Sequence, residues 1–292
     1  MPDVRSNVGG PTRDRLGGGC VTPFRQEVNR WWPQLAAAVL GTGAEAGVWL
    51  DVGCGVGQGH GLLQRAGLRG RYLGVDLAAA SDWEQPDRSG GTLERTFLAC
   101  DVVHLTSALG ASTVDGAMSI SAFEHFPDDL AALLAVRTVL RDGARLLLCV
   151  PAPAGRLLWG PRHGYRWYTA QRLRQLAEEA GMRVELLQPL GGAASLGLGL
   201  VWFVPAYVLS KLVAIALLVR HGGRRGAARR RHPWSAHLVT RIQFAHCATP
   251  RGRRLHQHVI ALVNRLDGRA RTPASAWAAV IRKPANAGAA DD

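Results

Sequence analysis

The chain has 292 residues, of which 47% are hydrophobic, and a formal net charge of +13. This length and apolar content allow a buried core and exclude a wholly disordered chain. The five cysteines stand singly, without C-x-x-C or zinc-ligand spacing, which argues against a disulfide scaffold, predicts no metal site and indicates a reducing, cytoplasmic compartment.

The net charge is unevenly placed along the chain. Residues 1–210 hold 19 basic and 19 acidic side chains, whereas residues 211–292 hold 16 basic and 3 acidic ones. A basic chain suggests nucleic-acid binding, but here the excess belongs to one segment.

In chain order, residues 1–29 are predicted to form a flexible arm, because they contain charges and glycines but no apolar signal-peptide region. Between 30 and 190, short apolar runs alternate with helical patterns. The predicted strands are 47–53, 71–77, 95–103, 114–120, 144–151 and 182–190, and the predicted helices are 57–67, 127–143 and 169–181. This alternation predicts crossover connections and a parallel sheet covered on both faces, a doubly wound α/β fold.

The regular alternation stops after residue 190. Residues 191–272 are apolar and then arginine-rich, and are predicted to be an insertion. Residues 273–285 contain the strand-like "SAWAAVIRKP", which is predicted to return to the sheet as its last strand, and 286–292 form a tail.

A glycine-rich turn follows the first predicted strand in "VWLDVGCGVGQGHGLL". The dinucleotide fingerprint G-x-G-x-x-G requires a third glycine, but that position is Gln58 when counted from Gly53 and His60 when counted from Gly55. The turn therefore does not match the NAD pattern.

Three carboxylates stand at or near the ends of the first three predicted strands: Asp51, Asp76 and Asp101. An acid beside the turn repels a pyrophosphate but suits a ligand that carries an amine and a sulfonium. Carboxylates at the next two strand ends suit ribose hydroxyls and an adenine amino group. The set therefore favours an adenosine with a cationic amino-acid tail.

Together with "YLGVDLA", "FLACDVVHL" and the segment from "VDGAMSISAFEHF" to "CVPAP", this turn resembles a class I S-adenosylmethionine-dependent methyltransferase, of the ubiquinone/menaquinone-biosynthesis-like or type 11 kind. The alternative is an ordinary turn with structural aspartates. The resemblance implies a Rossmann-like sheet of seven strands, S-adenosylmethionine as cofactor, and a core over residues 30–190. The residues that it implies for cofactor binding are Asp51, Gly53, Cys54, Gly55, Gly57, Asp76, Leu77, Asp101, Val102, Ser119 and Ser121.

The resemblance also implies roles for these residues. The glycine backbone passes beside the methionyl part of the cofactor, and Asp51 orients its amino group directly or through water. Asp76 holds the ribose, Asp101 with Val102 frames the adenine, and the two serines lie near the activated methyl group.

Two further sets concern the acceptor. Glu124 and His125 are the candidate catalytic residues, because a general base is needed when the acceptor loses a proton; alternatively, they only shape the pocket. "SAFEHF" is also similar to a segment of cyclopropane-forming lipid methyltransferases. The predicted substrate-pocket residues are His163, Tyr165, Arg166 and Tyr168. Equally, the aromatic residues of that segment pack the loop down and Thr169 caps the following helix.

The insertion contains an apolar stretch, 196–219, with Lys211 as its one charge, and six arginines follow between Arg220 and Arg231. It is long enough to span a bilayer, but Pro205 interrupts it, and a single crossing cannot keep both the core and the arginines on the cytoplasmic side. We therefore expect 196–231 to contact an anionic membrane surface as an interfacial helix or bent hairpin. The alternatives are a lid or a dimer interface; nucleic acid is disfavoured because the arginines lack interleaved aromatics.

The sequence thus predicts a methyltransferase, peripheral on the inner face of the cell membrane, that acts on a small amphiphilic or lipid-like acceptor. The alternatives are a soluble methyltransferase for a polar metabolite and a non-catalytic cofactor-binding protein of the same fold. No pattern sets the oligomeric state or the acceptor atom.

Overall fold

Seven strands form one sheet in the order β3-β2-β1-β4-β5-β7-β6. The computed structural model describes residues 23–41, 46–84, 91–159, 164–220, 244–268 and 273–285. The strands are β1 Gly47–Val52, β2 Gly70–Asp76, β3 Leu93–Ala99, β4 Val114–Ile120, β5 Leu140–Pro151, β6 Arg183–Leu190 and β7 Ala276–Arg282. The α-helices are α1 Pro23–Leu40, α2 Gln58–Arg65, α3 Leu105–Leu109, α4 Asp129–Val139, α5 Arg156–Trp159, α6 Ala170–Glu179, α7 Ala193–Leu198, α8 Val204–Arg220 and α9 Pro250–Asp267.

The doubly wound α/β prediction is confirmed, with one difference in strand direction. The strands from β3 to β5 pair in parallel, as crossover helices require. β7 lies between β5 and β6 and is antiparallel to both. The sheet is therefore mixed, because the chain that leaves β6 re-enters the sheet at the same end, where Leu190 pairs with Ala276.

Two apolar layers enclose the sheet. On one face, α1 and α2 contribute to a cluster that contains Trp32 and Leu63, and on the other, α4 and α6 contribute Val136 and Leu176. Along β7 the side chains alternate between the two layers, and the residues that form each layer are largely buried from solvent. Both faces are thus covered, which is what keeps a largely parallel sheet stable.

The predicted helix 127–143 is too long. α4 ends at Val139, and Leu140 already has extended backbone and pairs with Val114 of β4. The strand partner overrides the helical pattern of the sequence here.

The described cysteines differ in their chemical state. Cys54 and Cys100 are thiols, whereas Cys247 is disulfide-bonded. Spacing along a sequence does not report which distant cysteines the fold brings together.

The insertion between β6 and β7 is fastened at its base by Asp267, the last residue of α9. Its Oδ1 accepts from the Ala194 amide at 2.9 Å, and its carboxylate also accepts from the amide and hydroxyl of Ser195. Asp267 is 3% exposed. A carboxylate 73 residues away thus caps the first turn of α7.

We expect Asp267→Ala to lower the free energy of unfolding by about 1–3 kcal/mol, because buried amides of α7 lose their acceptor. Urea unfolding at neutral pH measures the loss. Glu178→Ala is the control, since Glu178 is exposed on α6, and it should change stability by less than about 0.5 kcal/mol. Equal effects of the two variants would show that the cap contributes nothing.

Among the helices within the described ranges, none is both long enough and apolar enough to span a membrane.

Candidate functional site

The strand order reverses between β1 and β4, which are neighbours in the sheet. In open α/β sheets, ligands bind outside the carboxyl ends of the strands at such a reversal. β1 ends at Val52 and β4 at Ile120, so the glycine turn and the segment that begins at Ser121 meet there. A Cβ on Gly53 would collide with Ala122, which shows how closely they pack. We assign this edge of the sheet as the candidate site.

The backbone of the turn requires glycine at three positions. Gly53, Gly55 and Gly57 have φ angles of 71°, 55° and 83°, in the left-handed region. The amides of Gly53 and Cys54 donate to the Val75 carbonyl at 2.8 and 3.0 Å, which fastens the turn to β2. A ligand at this edge can therefore approach the backbone closely at these three glycines.

Asp51 lies beneath this turn and is only 3% exposed. The Tyr72 hydroxyl donates to its Oδ2 at 2.6 Å. Burial raises the pKa of Asp51 to about 7, the Tyr72 hydrogen bond lowers it, and the charge of Asp76 raises it. Burial also raises the pKa of the adjacent Cys54 thiol, which therefore stays protonated.

Asp76 ends β2 and remains half-buried. Its Oδ2 accepts from the Gly55 amide at 2.8 Å, so the carboxylate is held against the glycine turn. The next side chain, Leu77, is 65% exposed. The end of β2 thus offers carboxylate oxygens and an apolar surface side by side.

The segment after β3 orients the two predicted residues Asp101 and Val102 in different directions. The Asp101 side chain is exposed and accepts from the Val103 amide at 3.2 Å, which caps a short 3₁₀ turn. In this turn Val102 is buried in the core, 7% exposed, while Val103 is 42% exposed. The side chain next to Asp101 that faces out is therefore Val103, and Val102 contributes only its backbone there.

The two predicted serines after β4 are placed differently. Ser119 is fully buried, and its hydroxyl donates to the Val52 carbonyl at 2.8 Å. Ser119 thus links β4 to β1 through this hydrogen bond. Ser121 is half-buried and has a φ of 54°, a strained conformation that clusters at functional sites.

Glu124 and His125 follow in a short 3₁₀ turn. Glu124 is fully buried, and its carbonyl accepts from the Tyr165 amide at 2.6 Å. The His125 side chain is 30% exposed, and its Nε2 lies 3.8 Å from Glu124 Oε1. Of the two candidates, the imidazole is the one that a substrate can reach from outside.

The four predicted pocket residues after β5 divide into three groups. His163 lies outside the described residues, and Tyr165 is 50% exposed beside the Glu124 backbone. The Arg166 guanidinium donates to the Phe126 and Pro127 carbonyls at 2.7 Å each.

Tyr168 is fully buried, and its hydroxyl donates to Asp129 at 3.1 Å; burial raises the pKa of Tyr168. Arg166 and Tyr168 therefore hold the loop down, and Thr169 caps α6 through the Arg172 amide. Tyr168 and Thr169 thus take the positions that the packing alternative expects.

Sequence reasoning missed an aromatic wall beside the turn. The Trp83 ring stacks on Phe97 with ring centroids 5.0 Å apart and planes 6° from parallel. The Trp83 indole N–H donates to the Gly55 carbonyl at 2.8 Å, and Phe97 occupies the space that a Cβ on Gly57 would need. The alternation of β3 places Phe97 on a sheet face, but no pattern along the chain points to Trp83.

The model of a protein family described as a methyltransferase domain matches residues 24–187. No curated protein matches the chain significantly. A protein described as a sarcosine dimethylglycine methyltransferase from Galdieria sulphuraria is 14% identical, with 89% of this chain and 86% of that chain covered and a TM-score of 0.52. The [4+2]-cyclase SpnF is 17% identical, with 91% and 84% covered and a TM-score of 0.52.

A 1,6-didemethyltoxoflavin-N1-methyltransferase from Burkholderia thailandensis, solved with 1,6-didemethyltoxoflavin and S-adenosylhomocysteine, is 25% identical. That likeness covers 56% of this chain and 71% of that chain, with a TM-score of 0.44. The first two structures show the fold alone, and a cyclase among them illustrates that one fold hosts several reactions. The family membership of the chain rests on the match to the methyltransferase domain, which spans more than half of the chain.

Proposed function

The chain belongs to the class I S-adenosylmethionine-dependent methyltransferases, and on this premise we propose that it methylates an amphiphilic, lipid-like acceptor at an anionic membrane surface. A row of exposed apolar side chains on and just before α8 supports both the lipid-like acceptor and the membrane location. The roles of individual residues below are part of the same proposal.

The residues at the sheet edge fit the cofactor. The glycine turn leaves room for its amino-acid end, with Asp51 beneath to attract the ammonium group. The Asp76 carboxylate suits ribose hydroxyls, and the exposed Leu77 and Val103 side chains suit the faces of an adenine ring. Asp101 is open to accept a hydrogen bond from the adenine amino group.

S-adenosylmethionine supplies a methyl group on a sulfonium, a good leaving group. The contribution of the protein is therefore mainly to position the acceptor and to exclude water. His125 is the side chain that accepts a proton from the acceptor when one is released, because its side chain is 30% exposed whereas Glu124 is fully buried.

The apolar stripe that supports the membrane location consists of Val208, Leu212 and Ile215 on α8, with Val201 in the π-helical turn Gly199–Phe203 just before it. In chain order, the four side chains are 79%, 49%, 58% and 57% exposed. The spacing of four and three residues places the three side chains of α8 on one helix face, where a helix in water carries polar residues. Exposed apolar patches of this kind mark interaction surfaces.

The positive charge next to this stripe favours an anionic lipid surface as its binding partner. The arginine-rich stretch follows it directly in the sequence and, beyond Arg220, lies outside the described residues. α9 combines both chemistries on its exposed surface, through Leu255, Leu262, Leu266, Arg251, Arg254 and Arg265. Apolar side chains flanked by arginines are typical of helices that lie in the interface of an anionic bilayer.

The acceptor is tested by incubating the purified protein with methyl-tritiated cofactor and two extracts of the same cells, one of membrane lipids and one of aqueous metabolites. We expect label in the organic phase of the lipid reaction. Label confined to the aqueous extract would instead show a soluble acceptor and overturn the proposal.

The surface is tested by co-sedimentation with vesicles. We expect binding to phosphatidylglycerol-containing vesicles, little binding to phosphatidylcholine vesicles, and at least tenfold weaker binding of the Leu212→Gln/Ile215→Gln variant, because each leucine-sized side chain contributes about 1.5–3 kcal/mol when buried. Leu134→Gln is the control, since Leu134 is 39% exposed on α4. A protein that ignores both vesicles and elutes as a dimer would assign the stripe to self-association.

A further inference from the structure

Asp51 and Tyr72 form a hydrogen-bonded pair across two neighbouring strands. In the β1–β2 register, Trp49 lies opposite Tyr72 and Asp51 lies opposite Gly74. Asp51 and Tyr72 thus project from the same face of the sheet, on a diagonal, and the hydroxyl reaches Oδ2 at 2.6 Å. Both residues are buried, at 3% and 0% exposure.

The packing around the phenol ring fixes where its hydroxyl points. The ring meets His60 of α2 and Phe97 of β3 edge-on, with centroids 5.4 and 5.8 Å apart. His60 is itself anchored, since its Nε2 donates to the Leu93 carbonyl at 2.7 Å. Tyr72 therefore cannot turn away from Asp51 without disturbing α2 and β3.

Asp51 has little freedom of its own. Gly59 in the first turn of α2 lies so close that an added Cβ would be 2.9 Å from Asp51 Cγ and closer still to Oδ2. The carboxylate is thus held between the helix backbone and the phenol, directly under the glycine turn.

The charges that face this pair act in opposite directions. Burial and the Asp76 carboxylate disfavour the charged form of Asp51, and the Tyr72 hydroxyl favours it. Arg95 of β3 acts on the Tyr72 phenol, and the Cys54 thiol next to the pair stays neutral. His60 meets the ring rather than the carboxylate.

We propose that Tyr72 is a positioning residue for cofactor binding, whose hydroxyl aims the Asp51 carboxylate at the cationic amino-acid end of S-adenosylmethionine and keeps it charged. The proposal rests on the role assigned to Asp51 above. It makes cofactor affinity depend on pH near neutrality, and it makes Tyr72 set the midpoint of that dependence.

The test is calorimetric titration of the full chain with S-adenosylmethionine between pH 6 and 9. For the native protein we expect affinity to fall up to tenfold per pH unit as Asp51 takes up a proton below about pH 7. Tyr72→Phe keeps the ring contacts but loses the hydrogen bond, so the midpoint should move up by about one unit and the affinity at pH 7 should fall about fivefold. At pH 9 the variant should approach the native protein.

Adenosine is the matched control ligand, because it lacks the ammonium group. Its affinity, measured by competition, should be the same for the native protein and Tyr72→Phe. The ammonium of the cofactor titrates identically with both proteins, so the difference between their profiles reports the protein alone.

Asp51→Asn separates the two levels of the argument. We expect it to bind the cofactor weakly, without the midpoint near pH 7. If Asp51→Asn binds as tightly as the native protein, the role of Asp51 is wrong. If Asp51→Asn weakens binding but Tyr72→Phe lowers affinity equally at every pH, or lowers that for adenosine as well, Tyr72 is only a packing residue and the proposal fails.

Discussion

Asp51→Asn is expected to raise the free energy of unfolding at pH 8 by up to about 4 kcal/mol while weakening S-adenosylmethionine binding a hundredfold or more. The ordinary pKa of an aspartate is 3.8, and burial raises that of Asp51 to about 7. The folded protein therefore binds this proton more tightly than the unfolded chain does. Its contribution to stability is complete below about pH 4 and is lost as the pH rises through 7.

The size of the gain follows from the shift, because each pKa unit corresponds to about 1.4 kcal/mol. Asparagine never carries the buried charge, so it avoids the whole penalty at pH 8 and none at pH 4. The loss of affinity reflects the removal of one partner from a buried charge pair, which costs about 2–5 kcal/mol.

Urea unfolding at pH 4 and pH 8 measures the first effect, and calorimetric titration at pH 8 measures the second. Glu178→Gln, which removes an exposed charge from α6, should change neither quantity. A variant that is equally destabilised at both pH values would show that Asp51 is structural and that its burial has no electrostatic cost.

Gly59→Ala is expected to destabilise the protein by about 3 kcal/mol and to abolish measurable cofactor binding. The added methyl would overlap Met118 Cε and Asp51 Oδ2, and it would lie 2.9 Å from Asp51 Cγ. Overpacking at such a contact costs about 1–3 kcal/mol and pushes α2 away from the sheet. The glycine turn moves with α2, because the helix begins at the next residue after Gly57.

Gly61→Ala provides a control within the same helix. A Cβ there would meet only Arg65 Nη1 at 3.6 Å, so there is room for it. Alanine is the better helix former by about 1 kcal/mol, so this variant should be slightly more stable and should bind the cofactor normally. Thermal melts and calorimetric titrations compare the two variants. Equal melting temperatures of Gly59→Ala and Gly61→Ala would contradict the expected overpacking at Gly59.

Much of the fold could be predicted because its helices, strands and turns depend on short patterns of neighbouring residues. The glycine turn after 47–53, the strand at 114–120 and the last strand after the insertion all appear in the structure close to their predicted bounds. Thr169 was recognised as a helix cap from residue type alone. These signals depend on neighbours along the chain, which the sequence displays directly.

The parts that could not be predicted depend on register and on rotation within short turns. Alternation places Tyr72 on a sheet face, but only the pairing of β1 with β2 brings it to Asp51. Likewise, the 3₁₀ turn after Asp101, which leaves Val103 exposed beside the site, is not indicated by the strand pattern. The proximity of Gly59 to Asp51 arises only once α2 docks on the sheet.

The hydrogen bonds of Asp267 with Ala194 and Ser195 have a consequence for how far the insertion can vary in length and sequence. The Asp267 carboxylate joins the end of the insertion to its beginning, so its hydrogen bonds offset the entropic cost of closing this long loop. That cost grows only slowly with the number of residues in the loop. The contents of the insertion can then lengthen, shorten or be replaced while the sheet and its cofactor edge stay as they are. A foreign segment grafted between these two anchors would therefore change the insertion without altering the sheet that holds the candidate site.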